Sequence, residues 1–235
     1  DAVTWGYARA ASYLGVGIIE TCEVTGFISH GGQLVGVETS RGEIRAEKVG
    51  MAVAGSTSLL AHKAGLGRLP IESHKLQAFV SEPIKPFLDS VVVYGVGHGH
   101  FYISQSDKGD LVIGAGVDSY NGYGQRGSFN VIEHTVQAIC ELFPAFSRVQ
   151  MNRQWGGIVD TCPDACPIIS KTSVDGLYFN CGWGTGGFKA TPGSGFVFAD
   201  TVANDRPHPL AEAFNIGRFN SGALIDEHGA AGVAH

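Results

Sequence analysis

The chain has 235 residues, of which 44% are hydrophobic and 16% are charged, so it is long enough to bury a sizeable core and shows little sign of disorder. Its formal net charge of -6, with no run of lysines and arginines, argues against nucleic acid or an anionic membrane as the main partner. No apolar stretch reaches the roughly 18 to 20 residues of a membrane span and no signal peptide opens the chain, which favours a cytoplasmic location.

The first predicted elements are a helix followed by short strands. Residues 1–15 have apolar side chains at helical spacing and end at a glycine, as an amphipathic helix does. Since no methionine opens this segment, we expect the chain to begin mid-protein. Alternating runs from Gly17 to Gly55, separated by glycine turns, predict a strand, a hairpin and a return strand. A short helix with Ser and Thr at its start is predicted at 56–65.

The middle of the chain predicts an antiparallel sheet. Four strand candidates are separated by turns, at 74–84, 90–96, 100–106 and 110–117. A helix is expected after them, stopped by Pro144. The last predicted elements are strands at 149–163, 166–172 and 176–183 and a helix from about Pro192 to Asn204.

These elements predict an α+β fold of two interleaved domains. The strand groups near 17–55 and 177–181 have the glycine-rich ends that are typical of an α/β nucleotide-binding domain, whereas the middle supplies the antiparallel sheet. The predicted division gives residues 1–70 and 150–206 to the first domain and 71–149 to the second. Residues 207–235, rich in Gly, Ala and His, are expected to form a C-terminal tail.

The cysteines favour free thiols over disulfides and metal. Their number is odd and they are scattered through apolar segments, which suits a reducing compartment. Cys162 and Cys166, in the stretch CPDACP, resemble half of a metal site. Zinc needs about four ligands at recognisable spacing, and no second pair follows. No metal site is therefore predicted.

The stretch NCGWGTGGFKATPGSG, residues 180–195, holds six glycines and a single charge, that of Lys189. A predicted strand runs into a glycine loop and then into a helix whose first turn is expected to hold Pro192. A helix start leaves N–H groups free for an anion or a carbonyl-like acceptor, and glycines let a planar ligand approach the backbone. The alternative is that the glycines serve only turns and packing, and that Lys189 is a solvated surface charge. Spacing alone leaves both interpretations open.

Four stretches carry a resemblance to a known family: GWGTGGFKATPGSG, RQWGGIVDTCPDACPIIS, GAGVDSYNGYGQRGSF and LIDEHGAAGVAH. They closely resemble the beta subunits of heterotetrameric sarcosine oxidases, within the D-amino-acid-oxidase-like family of FAD-dependent amine oxidoreductases. The resemblance covers essentially the whole chain. It implies an FAD-binding α/β domain, with its N-terminal nucleotide-binding half missing, interleaved with an antiparallel-sheet substrate domain. The implied reaction is oxidative demethylation of sarcosine, N-methylglycine, with the hydride passing to FAD and with partner subunits in the complete oxidase.

The same resemblance implies roles for four residues. Val24 would make a main-chain contact with the adenine end of FAD, and Gly184 and Gly187 would lie against the flavin ring. Lys189 would line the flavin and the substrate carboxylate region, as both a cofactor-binding and a catalytic residue. A fixed cation near the pyrimidine side of a flavin stabilises negative charge on the ring, and it could equally steer an anionic substrate. The polar loop 120–126 could face the substrate, although a surface turn explains it at least as well.

Two expected parts of the family pattern fall outside this chain. The pyrophosphate fingerprint G-x-G-x-x-G is expected upstream of Asp1, because the local GWGTGG lacks a following βαβ unit. A second flavin, FMN, is expected on a histidine just upstream of Asp1. The isolated chain is therefore expected to be inactive. Two alternatives to sarcosine oxidation stay open: another secondary or tertiary amino acid such as dimethylglycine, or a non-catalytic assembly module that kept the fold.

Overall fold

The computed structural model describes residues 2–95 and 100–225. Its helices are α1 (Ala2–Tyr13), α2 (Thr57–Lys63), α3 (Phe129–Leu142), α4 (Gly187–Asn204) and α5 (Arg218–Ser221), with short 3-10 turns at Ala54–Ser56, Pro144–Arg148 and Pro209–Phe214. Its strands are β1 (Val24–His30), β2 (Gln33–Thr39), β3 (Gly42–Arg45), β4 (Val49–Met51), β5 (Glu72–Pro83), β6 (Val92–Tyr94), β7 (Phe101–Gln105), β8 (Asp110–Asn121), β9 (Met151–Thr161), β10 (Ile168–Lys171) and β11 (Leu177–Cys181).

The described strands form three sheets. One has the order β1-β2-β3, one has the order β10-β11-β4, and the largest has the order β6-β7-β8-β5-β9. All pairs of the largest sheet are antiparallel, whereas β11 pairs with β4 in parallel and with β10 in the antiparallel sense. The predicted α+β fold is confirmed, with its antiparallel sheet in the middle of the chain.

The five-stranded sheet buries one face under α3. Alternate residues of β5 point to that face, in the pattern that a half-covered strand requires. Its apolar cluster consists of Phe79, Phe101, Ile103, Leu111, Ile113, Ala115, Ala138 and Ile139. Toward the start of β5 the same face becomes polar, because Lys75 is buried against Asp118, with Nζ 2.9 Å from Oδ2.

A second core lies between α2 and the sheet β10-β11-β4. Its buried residues include Met51, Ala61, Ile168 and Phe179. Cys162 and Cys181 belong to the same cluster and have the low exposure expected of small apolar residues. This core fixes the end of β11, from which the glycine-rich stretch leaves the sheet.

The predicted first strand is too long at its start. β1 begins only at Val24, and the apolar side chains of Ile18 and Ile19 are 51% and 55% exposed. The apolar run alone indicated a strand, but a strand also needs a neighbour to pair with, and the pairing of β1 with β2 begins at Val24 opposite Thr39.

The predicted domain boundaries stay a prediction. Strand β9, which the boundary at residue 150 assigns to the FAD-binding domain, pairs along its length with β5 of the five-stranded sheet. Part of the expected C-terminal tail packs against the rest of the chain, since Ala211 and Arg218 are buried. Residues 226–235 of that tail lie outside the described residues.

Candidate functional site

The candidate site is built on the turn that connects β11 with α4. The chain leaves the sheet at Cys181 and passes through Gly182 and Gly184, whose φ angles are 72° and 50°. This is the left-handed region, which glycine adopts without the strain that a Cβ causes. Gly182 is also confined by its neighbour, because a Cβ there would lie 2.5 Å from the Sγ of Cys162. The turn therefore requires glycine for both conformation and space.

Helix α4 begins at Gly187, so the prediction of a start near Pro192 is wrong. Proline favours a first helical turn, but here it lies inside the helix, where it removes the hydrogen bond to the carbonyl of Phe188. The start is set by the preceding turn, in which the N–H of Gly186 donates to the carbonyl of Trp183 at 2.9 Å. Lys189 consequently lies in the first turn of α4, and not in a loop.

Positive charge is concentrated at this helix start. The first turn of α4 has no acidic residue, and no side chain caps Gly186. The free N–H groups of a helix start already carry partial positive charge, so a lysine in the first turn is locally unfavourable. Lys189 is exposed and has no hydrogen bond or ion pair within the described part of the chain. An anion or the carbonyl-rich edge of a ring would relieve this unfavourable arrangement.

The opposite end of α4 is tied down by cations. Lys48 donates from Nζ to the carbonyls of Val202 and Ala203 at 2.6 and 3.0 Å. Lys171 donates to the carbonyl of Asp205 at 3.2 Å and pairs with its carboxylate at 2.8 Å. Cations at a helix C-terminus satisfy the last carbonyls and complement the helix dipole. Helix α4 is thus anchored at its end and open at its start.

A buried carboxylate contacts the glycine turn on the side that faces the protein interior. Asp160, at the end of β9, is 3% exposed, and its Oδ2 accepts the N–H of Gly182 at 2.6 Å. Its main-chain carbonyl accepts the N–H of Gly184 at 2.8 Å, and the hydroxyl of Thr57 lies 3.3 Å from Oδ2. Burial raises the pKa of Asp160, although the hydrogen bonds from Gly182 and Thr57 oppose this increase. Sequence reasoning missed this residue.

The glycines of the turn and of the first part of α4 leave open main chain between exposed side chains, among them Phe188 at 76%. A Cβ at Gly184 would meet no atom closer than 3.7 Å, and Gly193 and Gly195 have nothing within 4 Å. A Cβ at Gly187 would come within 3.2 Å of the Trp183 side chain. A flat ring can rest on such a surface with its acceptor atoms near the helix N–H groups, so these residues fit the pyrimidine edge of a flavin.

The family assignment agrees with this geometry. Residues 1–201 match the FAD dependent oxidoreductase family, DAO. The chain belongs to the FAD-dependent oxidoreductase family. The resemblance to sarcosine oxidase beta subunits is confirmed as well, because the chain is 57% identical to the sarcosine oxidase subunit beta of an Arthrobacter species over all 235 residues. It is 56% identical over 229 residues, 97% of the chain, to that of Rhizobium meliloti (strain 1021).

The chain spans only part of these oxidoreductases. It covers 57% of the Arthrobacter protein and 54% of the Rhizobium protein. Among solved structures, the L-proline dehydrogenase of P. horikoshii superposes with a TM-score of 0.85 at 26% identity, over 95% of this chain and 60% of that chain. The glycine oxidase of Bacillus cereus ATCC 14579 has a TM-score of 0.76 at 22% identity, over 89% and 57%, and shows the shared fold.

Of the four predicted site residues, three lie together. Gly184, Gly187 and Lys189 share the turn and the start of α4, whereas Val24 begins β1 in a different sheet. Val24 is half-buried, and the main chain of the next residue, Thr25, accepts a hydrogen bond from Lys63 at 3.1 Å. The roles of all four residues in this oxidoreductase fold stay predictions.

The described residues offer neither a metal site nor a disulfide. They contain no group of three or more His, Cys, Asp or Glu side chains placed to hold a metal ion. None of the five cysteines, all within the described residues, forms a disulfide, and burial raises the pKa of Cys162 to about 12, which keeps it a thiol and not a nucleophilic thiolate. No helix in the described part of the chain has both the length and the apolar character to cross a bilayer.

Proposed function

We propose that this chain is part of a flavin-dependent amine oxidoreductase that oxidises sarcosine to glycine within a multisubunit oxidase, with oxygen as acceptor. The identity of 57% to a sarcosine oxidase beta subunit over the whole chain supports the substrate and the assembly. The observation that carries the proposal is the unpaired cation of Lys189 at the open start of α4, next to a glycine turn that fits a flat ring.

Each site residue has a role in this proposal. Gly184 and Gly187 let the flavin ring lie against the main chain, and the N–H groups at the start of α4 face its acceptor edge. Val24 contacts the adenine end of FAD through its main chain. FAD, when bound, would accept the hydride of a C–H bond of the sarcosine N-methyl group, and hydrolysis of the resulting imine would give glycine and formaldehyde. Lys189 holds the substrate carboxylate or the pyrimidine side of the ring by its charge.

The proposal extends to a second flavin, partner subunits and location. FMN is proposed in the complete subunit, attached to a histidine of a segment outside this sequence, as the resemblance implies. The name of the relatives, sarcosine oxidase subunit beta, supports partner subunits. The five cysteines form no disulfide, which supports a cytoplasmic location, since a reducing compartment keeps thiols from oxidising to disulfides.

The test is substrate-dependent bleaching of the flavin in the full-length protein. Under anaerobic conditions, sarcosine is expected to bleach the visible absorbance of bound FAD faster than dimethylglycine, proline or glycine at the same concentration. If another of these amines bleached the flavin faster, that amine, and not sarcosine, would be the preferred substrate. A flavin-loaded protein that none of these amines bleaches would contradict the enzymatic function and favour an assembly module.

A further inference from the structure

We propose that Asp160 is a positioning residue, which fixes the glycine turn to the end of β9 and thereby sets where the flavin lies against the five-stranded sheet. This inference rests on the proposed FAD site at the start of α4. Asp160 itself does not reach the open surface, because it is 3% exposed. Its effect must therefore pass through the main chain of the turn.

Asp160 holds the turn at two points. Its carboxylate accepts the N–H of Gly182 at 2.6 Å, and its carbonyl accepts the N–H of Gly184 at 2.8 Å. These are the two residues of the turn with positive φ, so the hydrogen bonds select the backbone conformation that only glycine adopts freely. An isolated bridge between Thr161 and Trp183 continues the contact by one residue on each side. Without the carboxylate, the N–H of Gly182 would be buried without a partner.

These contacts join two parts of the fold that are otherwise in different sheets. Asp160 belongs to β9 at the edge of the five-stranded sheet, and the turn follows β11 of the sheet β10-β11-β4. The hydroxyl of Thr57, at the start of α2, lies 3.3 Å from the same carboxylate oxygen. Asp160 thus connects the five-stranded sheet with the glycine turn and with α2. A shift of the turn relative to β9 would move the ring relative to that sheet.

The experiment compares three variants of the full-length protein: D160A, D160N and S73A. Ser73 is a matched control, because it pairs with Asp160 across the β5–β9 ladder, is buried, and bonds to the carbonyl of Gly55 at 2.9 Å without touching the turn. The affinity for FAD is measured by titrating the apoprotein, and the visible circular dichroism of the bound flavin reports its position. Neither readout depends on turnover.

The expected result separates positioning from general destabilisation. D160A should weaken FAD binding by roughly tenfold or more, since a buried donor loses its acceptor, and should change the circular dichroism of the flavin that still binds. D160N keeps an oxygen acceptor of the same shape and should stay within roughly threefold of the wild type. S73A should bind FAD as the wild type does, even if it melts at a lower temperature.

Three results would overturn the inference: unchanged affinity and spectrum in D160A, a loss in S73A equal to that in D160A, or a loss in D160N equal to that in D160A. If D160A does not fold, D160S replaces it, because its hydroxyl is too short to reach Gly182, and normal binding in D160S overturns the inference equally. Failure of the wild-type protein to bind FAD would instead contradict the proposed function.

Discussion

Arg218 holds Asp164 in an ion pair that is almost completely buried. Nε lies 2.7 Å from Oδ2 and Nη2 lies 3.0 Å from Oδ1, and both side chains are 1% exposed. Nη2 also donates to the carbonyl of Cys166 at 2.8 Å, and Oδ2 accepts the N–H of Ile225 at 3.3 Å. The pair ties the segment after α4 to the turn that follows β9, close to the residue that holds the glycine turn.

Replacing Arg218 by methionine should lower the free energy of unfolding by about 3 to 5 kcal/mol, because the carboxylate of Asp164 would stay buried without its partner. Urea unfolding monitored by tryptophan fluorescence measures the difference. The matched control is R45M, since Arg45 and Glu43 form an ion pair of similar length, with Nη2 2.8 Å from Oε2, but their side chains are 63% and 58% exposed, and its effect should stay below about 1 kcal/mol. Equal effects in the two variants would contradict the importance of the buried pair.

The pKa shifts of Asp164 and Asp160 should make the free energy of unfolding depend on pH in opposite directions. Burial favours a higher pKa for Asp164, but the hydrogen bonds and charge of Arg218 prevail and lower it below the ordinary value of 3.8. Its contribution is therefore present above that pH and lost as the pH falls. Burial raises the pKa of Asp160 above 3.8, so its ionisation costs stability as the pH rises through the raised value.

The pH prediction is tested with D164N and D160N by measuring unfolding free energies between about pH 2.5 and 7. D164N should remove part of the loss of stability below about pH 4, and D160N should remove part of the loss above it. Identical pH profiles for the wild type and D164N would show that Asp164 has the same pKa in both the folded and the unfolded states.

Strands and helices with a regular pattern of apolar residues were predictable, because that pattern lies within the segment itself. The antiparallel sheet was found from the alternation of β5 and β8, and α3 was found with its stop at Pro144. The glycine stretch was visible as six glycines among sixteen residues, but this spacing alone did not decide between a structural and a functional use, and the role of Lys189 stays a prediction.

The residues that sequence analysis missed have partners that are far away in the sequence. Asp160 is 22 residues from Gly182, and nothing in the run GIVDTC distinguishes it from any other strand residue. Arg218 lies in a segment whose Gly, Ala and His content suggested a tail, yet its partner Asp164 is 54 residues away. The start of α4 was misplaced because proline preference is local, whereas the turn at Gly182 is fixed by β9.

The segment 2–19 should make the isolated chain self-associate. Helix α1 buries no residue, and large apolar side chains are exposed along this segment, among them Trp5 at 58% and Leu14 at 80%. Many exposed large apolar side chains in one short segment favour association. Sedimentation velocity should show oligomers that the double variant W5S/L14S reduces and that S12A on the same helix does not. A monomer that binds no hydrophobic dye would contradict this expectation.

The 235-residue chain should not retain FAD through desalting. The stretch GWGTGG follows a strand but leads into α4 without a following βαβ unit, so the glycine turn that neutralises a pyrophosphate in dinucleotide-binding folds is not provided by these residues. Contacts at the ring end alone should give weak, reversible binding. A stable visible flavin spectrum after desalting would contradict the prediction and place a phosphate site within this chain.

Removing the charge of Lys189 should slow the reaction of the full-length protein with little effect on folding. K189M is expected to reduce the rate of flavin reduction or of reaction with oxygen by roughly 100-fold or more, equivalent to about 2.7 kcal/mol of barrier. The exposed side chain has no partner within the described residues, so the free energy of unfolding should change by no more than about 0.5 kcal/mol. The control is K108M, which removes an exposed lysine in the β7–β8 turn.

The two half-reactions distinguish the possible roles of this cation. A weaker affinity for sarcosine with a normal reaction with oxygen would mean that Lys189 binds the substrate carboxylate, whereas normal reduction with slow reaction with oxygen would mean that its charge assists the oxygen step. K189R keeps the charge on a larger, planar group and should restore only part of the rate, because a lysine in the first turn of α4 presents a compact point charge. If K189M retained FAD and kept both rates at the level of K108M, the cation at the start of α4 would have no part in the chemistry. The unpaired charge of Lys189 would then no longer support the proposed function.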